Sequence, residues 1–105
     1  MEHKPLIYLA GAFSSEPEFN THKAIKIGAK LSDMGYAVFV PHLSYWWDKI
    51  DKRDYEWYME YDFNILSRCD LLVRIPGESK GADREWNFAR LNDIPAFTLE
   101  EFLML

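Results

Sequence analysis

The strongest constraint on how this chain folds is the regular return of short apolar runs. Leu6-Ile7-Tyr8-Leu9-Ala10, Tyr36-Ala37-Val38-Phe39-Val40, Leu71-Leu72-Val73-Arg74-Ile75 and Ile94-Pro95-Ala96-Phe97 recur along the sequence. Each is too short for a buried helix and reads as a buried strand. Between the first two, Ala24, Ile27, Gly28, Leu31 and Met34 follow one another at helical spacing. Asn20 serves as the N-cap of that helix and Gly35 as its left-handed stop. After the second run, His42 to Arg53 is irregular and aromatic, and from Asp54 the pattern turns helical with Tyr58, Tyr61 and Ile65 on one face. Trp86 to Asn92 supplies a third helix. Thr98-Leu99-Glu100-Glu101 is a capping-box pattern for a small terminal helix.

Strands alternating with helices imply a parallel sheet covered on both faces. Right-handed crossovers restrict the topology to a flavodoxin-like three-layer α/β sandwich of about four or five strands, in the order 2-1-3-4. A chain of 105 residues supports one domain, here residues 1–105. In this order the first and third strands are neighbours, and the chain changes winding direction between them. Ligands of open α/β sheets bind at that switch point, beyond the carboxyl ends of the strands. The loops there are Gly11 to Phe19 and Pro76 to Ala82.

The second loop, extended to Glu85, is the stretch with the most chemistry. A glycine-bearing turn between a strand and a helix presents free backbone N–H groups and the positive end of a helix dipole. Ser79 adds a hydroxyl, and Glu85 adds a carboxylate about one turn into the helix. The turn has neither the P-loop nor the dinucleotide spacing of glycines. Glu85, Asp62 and Tyr8 can converge at the crevice. Two carboxyl groups across an oxocarbenium-like centre are what cleavage of a glycosidic bond uses, one attacking and one moving a proton. Tyr8 would orient the attacking carboxylate.

Each of these residues has a plainer reading. Glu85 near a helix start also complements the dipole. Asp62 also reads as a solvated helix residue paired with Arg68 or Arg84, and Tyr8 as core whose hydroxyl needs a partner. Trp46, Trp47, Trp57 and Tyr58 can stack on a nucleobase or pack in a core or dimer interface. His42, just after Pro41, ends the second strand near the same sheet edge and is a candidate ligand contact.

Composition removes several classes of function. A net charge of −5 gives no electrostatic footprint for duplex nucleic acid. The three histidines lack ligand spacing and Cys69 is the only cysteine, so neither a metal site nor a disulfide framework is implied. No signal-peptide core or membrane-length apolar run is visible, and the expectation is a soluble cytoplasmic protein without membrane association.

The ordered set Ile7-Tyr8-Leu9-Ala10-Gly11, Asn20, Gly35 through His42, Cys69-Asp70 and Ser79-x-Gly81-x-x-x-Glu85, followed by Ala89 and Ile94-Pro95, resembles the nucleoside 2-deoxyribosyltransferase-like superfamily. Within it the chain looks closest to small bacterial and phage members. The resemblance implies cleavage or transfer of the N-glycosidic bond of a (deoxy)ribonucleoside or nucleoside 5′-monophosphate, without a cofactor. It assigns Glu85 as nucleophile, Asp62 as second acidic residue and Tyr8 as the tyrosine positioning Glu85. Ser79 and Gly81 would bind the 5′ end, and the loop from Gly11 through Ser14 to Ser15 would wrap the sugar. With His42 and Trp46 as further contacts, this completes the expected substrate site. A homodimer or higher homo-oligomer is also implied. Nucleotide hydrolases of the superfamily carry arginine in the first loop, where Gly11 to Phe19 has no basic residue. The partner the resemblance implies is a nucleoside or nucleotide substrate, with no basic residue in the first loop to hold a phosphate.

Overall fold

A computed structural model describes residues 3–105. Strand β1 (Leu6–Ala10) leads into helix α1 (Pro17–Asp33) and strand β2 (Ala37–Phe39). A 3-10 turn (Pro41–Leu43) and helices α2 (Ser44–Ile50) and α3 (Tyr55–Leu66) follow. Strand β3 (Leu71–Arg74), helix α4 (Lys80–Leu91), strand β4 (Ala96–Thr98) and helix α5 (Leu99–Leu103) complete the chain. The four strands form one parallel sheet in the order β2-β1-β3-β4, the flavodoxin-like arrangement anticipated from the sequence.

Alternation along the strands divides the core between the two faces of the sheet. Ile7, Leu9 and Val73 pack with Ala24 and Leu31 of α1 and Phe102 of α5. Tyr8, Ala10 and Leu72 pack on the other side with Leu66 of α3 and Ala82 and Ala89 of α4. The central strands are buried on both faces, which is why their sequences are apolar runs rather than alternating ones. Gly35, at φ +105°, makes the turn from α1 into β2 that a residue with a Cβ would resist. Thr98 and Glu101 close a reciprocal capping box at the start of α5. No helix among the described residues is long and apolar enough to cross a membrane.

Three local expectations change. Helix α1 starts at Pro17, whose fixed φ suits a first helical position, and not at an Asn20 cap. Asn20 instead donates its amide to Phe13 O and Ser15 Oγ, both at 3.1 Å, tying down the loop after β1. The aromatic stretch from His42 to Arg53 is not irregular: it holds the 3-10 turn and α2, where Tyr45 and Trp46 pack edge to face. Helix α4 begins six residues earlier than Trp86, because Ser79 caps it by accepting from Ala82 N at 3.0 Å. Gly81 is thus helical, within a helix started by its cap.

Candidate active site

Tyr8 lies on central strand β1 with its side chain on the face covered by α3 and α4. It is fully buried, its ring 5.6 Å from that of Phe39. Its hydroxyl donates a short hydrogen bond to Glu85 Oε2. Glu85 is the sixth residue of α4 and only 5% exposed; Asp62, near the end of α3, is 9% exposed. Two acids and a phenol thus meet between two helices and the sheet, with little water to solvate a charge.

Burial raises Glu85 from its ordinary value to about 8. The Tyr8 hydrogen bond opposes that rise, the charge of Asp62 adds to it, and the charge of Arg74 opposes it more weakly. Burial lifts Asp62 to about 7, opposed by the nearby Tyr8 hydroxyl. Tyr8 itself is pushed well up, first by burial and then by the negative charges of Glu85 and Asp62. Burial thus favours the neutral form of both carboxyls, and the charge of Asp62 further opposes ionisation of Glu85. The Asp62 alternative of a solvated ion pair does not occur: Arg84 pairs with Glu56 at 2.7 Å, and Arg68 donates to Asn64 O at 2.7 Å.

Glu85 and Asp62 open onto a cavity of about 980 Å³ beyond the carboxyl ends of β1 and β3. This is at the upper end of the range for small-molecule sites. Its walls are the loop from Gly11 to Ser15, the 3-10 turn with His42, one face each of α2 and α3, and the segment from Gly77 to Asp83. Gly11, Ser14, His42, Ser79 and Gly81 all line it, as the sequence suggested. Gly11 is needed for close packing there, since a Cβ would lie 3.1 Å from Ile75 Cδ1. Ser79 uses its oxygen as the helix cap, so its one hydroxyl proton remains free to donate. His42 is 3% exposed, and burial lowers its pKa. Its neutral ring pairs through Nε2 with Ala12 O at 2.9 Å, which fixes the first loop against the 3-10 turn.

Trp46 is the exception. It does not line the cavity and is 66% exposed. Ser44 and Asp48, one helical turn apart, are the α2 residues facing the cavity, and a residue midway between them points the other way.

Two charged lining residues, Arg74 and Asp48, are ones that the sequence reading did not single out. Arg74, at the carboxyl end of β3, pairs through Nη1 with Asp83 and donates from Nη2 to Gly77 O at 3.1 Å. A single charge ending an otherwise apolar strand was its signal in the sequence. Asp48 accepts from the Tyr58 hydroxyl at 2.9 Å, joining α2 to α3, and Arg53 N donates to the same Asp48 oxygen at 3.2 Å. Nothing local announced these, because the partners belong to separate elements. Outside the cavity, Arg84 binds Glu56 with two nitrogens and lies over the Tyr55 ring, fastening α4 to α3.

Chemically, the site offers a buried carboxylate held by a phenol, a second carboxyl able to carry a proton, and a roomy cavity above them. No curated protein matches the chain. The family described as Domain of unknown function (DUF4406) has a model that matches residues 5–97, and the chain belongs to that family.

Proposed function

We propose that this protein cleaves or transfers the N-glycosidic bond of a (deoxy)ribonucleoside or nucleoside 5′-monophosphate by a retaining, double-displacement mechanism. The observation that carries the reading is the Tyr8 to Glu85 hydrogen bond beside the buried Asp62, beneath a cavity large enough for a nucleoside. The resemblance to the nucleoside 2-deoxyribosyltransferase-like superfamily puts the same three residues in the same roles.

In the first step Glu85 attacks C1′ through a carboxylate oxygen, and the bond from C1′ to the base nitrogen breaks. Asp62 passes its proton to the departing base, leaving a glycosyl ester on Glu85 and Asp62 ionised. Water or a second base then attacks C1′ from the face the first base left. Asp62 takes up the proton the incoming nucleophile loses, and Glu85 is freed.

The productive protonation state has a proton on Asp62 and a charge on Glu85. Glu85 competes for that proton, its pKa standing at about 8 against about 7 for Asp62. Tyr8 and Arg74 oppose this by favouring charge on Glu85. The positive charge developing on the sugar adds to their effect in the transition state. Trp46 at 66% exposure and Ile50 at 86%, both on α2, suit an interface in a cytoplasmic homo-oligomer better than a substrate contact.

The test is release of free base from a panel of nucleosides and 5′-monophosphates by wild type and Glu85→Ala. The variant should lose turnover, and equal rates would sink the assignment. A 2′-fluoro nucleoside, whose electron-withdrawing fluorine slows the second step, should add one glycosyl mass to wild type and none to the variant. Saturable binding with no base released over long incubation would instead assign a non-catalytic nucleotide-binding domain.

A further inference from the structure

Arg74 puts a charge at the end of an otherwise apolar central strand. It stands in register with Ala10 of β1 and Thr98 of β4. Side chains alternate along a strand, so Arg74 lies on the face of Leu72, which also carries Tyr8 and is covered by α3 and α4. Glu85, on α4, belongs to the same side, and both residues line the cavity.

Two contacts hold the guanidinium. Nη1 pairs with the carboxylate of Asp83, two residues before Glu85 on α4, and Nη2 donates to Gly77 O at 3.1 Å. Gly77 sits at φ +132°, a backbone conformation that favours glycine, so the turn after β3 is built around the residue whose carbonyl meets Arg74. The Arg74 side chain is 18% exposed and that of Asp83 61%. The pair is therefore a dipole with its positive end inward, and water screens the outer, negative end more strongly. Such a pair acts on a nearby carboxylate while its two charges largely cancel further out.

The other charged groups around the site do not supply this. Asp62 of α3 opposes a charge on Glu85, and Tyr8 of β1 offers a hydrogen bond but no charge. From the 3-10 turn comes His42, held neutral by burial, and from α2 comes Asp48, a further acid. Arg53 is exposed and places Nε and Nη2 on Asp51, at 3.0 and 2.8 Å, and Lys80 is exposed. Arg84, next to Glu85 in the chain, binds Glu56 outside the cavity. Arg74 is the sheltered cation of the cavity, and its charge favours an ionised Glu85.

We infer that Arg74 is a positioning residue of the reaction proposed above: clamped by Asp83 and Gly77, it holds the positive charge that keeps Glu85 ionised for attack. Tyr8 aims the carboxylate, and Arg74 opposes the burial that would neutralise it.

Because this role rests on the glycosidase reading, ionisation and turnover are measured separately. Arg74→Gln and Arg74→Met remove the charge with and without a polar end, and Arg74→Lys keeps it. Ionisation of Glu85 is followed by carbon NMR of protein labelled at the glutamate carboxyls, its signal identified by its loss in Glu85→Gln. Both neutral variants should raise the midpoint by about half a pH unit to one unit, roughly 3- to 10-fold in proton affinity, and Arg74→Lys should restore it. Base release by the neutral variants should be slower than wild type by about the same factor at pH 6, and the gap should close toward pH 9, where Glu85 is ionised in all of them. A purely structural role would lower the rate by one factor at every pH. A midpoint unmoved by the neutral variants, or moved as far by Arg74→Lys, overturns the inference and leaves the glycosidase reading standing. A midpoint that moves as expected in protein that releases no base supports the hold of Arg74 on Glu85 and removes the glycosidase reading.

Discussion

Replacing Glu85 with glutamine should separate what this residue does for chemistry from what it does to stability. In the folded protein the carboxyl is 5% exposed, and burial lifts its pKa from 4.5 to about 8. At about 1.4 kcal/mol for each tenfold change in proton affinity, that rise is a preference for the neutral form on the order of 5 kcal/mol. The sign follows from which state holds the proton. Below pH 4.5 folded and unfolded chains both hold it, and the group's contribution to stability is fully present. Between 4.5 and about 8 the unfolded chain releases the proton and the folded one keeps it, so stability falls as pH rises. Asp62, raised from 3.8 to about 7, acts in the same direction through an overlapping window.

Glutamine keeps the size and still accepts from Tyr8, but it adds an amide NH2 whose burial without a partner costs roughly 1–2 kcal/mol. Glu85→Gln should therefore be slightly less stable than wild type at pH 5. At pH 9 it should be more stable by about 3 kcal/mol, worth on the order of 15 °C in melting temperature for a domain of this size. Urea unfolding of both proteins at intervals from pH 5 to pH 9 measures the difference directly. Parallel stability curves across that range would refute the buried, proton-retaining carboxyl. Retained base release by the variant would separately refute its role as nucleophile. Activity lost while stability at high pH is gained is the pattern expected where a charged group is held in a poor solvent for the sake of reaction.

Further consequences concern its neighbours. Tyr8→Phe keeps the packing against Phe39 and removes the donor to Glu85, a bond to a charged group worth roughly 1.5–3 kcal/mol. The acid limb of the pH–rate profile should move up by about one pH unit or more, read from initial rates across buffers. Asp62→Asn should slow base release by roughly 10²–10⁴-fold, least for substrates whose leaving group needs no proton, such as a p-nitrophenyl glycoside. Equal losses on both kinds of substrate would exclude Asp62 as the proton donor. Ser79→Ala removes the α4 cap to Ala82 N and should cost about 1 kcal/mol in urea unfolding, together with weaker substrate binding.

What could be read locally and what could not divide along physical lines. Leu6 to Ala10 and Leu71 to Ile75 declared themselves as strands because the two central strands of a parallel sheet are buried on both faces, leaving no polar alternation to confuse the pattern. Boundaries were poorer where a cap or proline overruled periodicity. Ser79 started α4 earlier than the apolar spacing suggested, and Pro17 started α1 ahead of Asn20. The α2 segment, only seven residues long, lacked the length for its amphipathic character to emerge from a cluster of aromatics. Trp46 was misplaced for the same reason: without a helix there, no rule said which aromatic faced the cavity.

The sequence by itself determined the layered architecture, the strand order and the crevice, because apolar periodicity and handed crossovers act along the chain and leave few alternatives. It also singled out Glu85, Asp62 and Tyr8, though each had a plain structural reading of its own. Only the tertiary structure shows what surrounds them. Glu85 and Asp62 lose their water, and Tyr8 meets Glu85 from a residue 77 positions away, because β1, α3 and α4 close over one another. The same closure commits Arg74 to Asp83. Burial and partnership are properties of the packed molecule, and they set the protonation of this site.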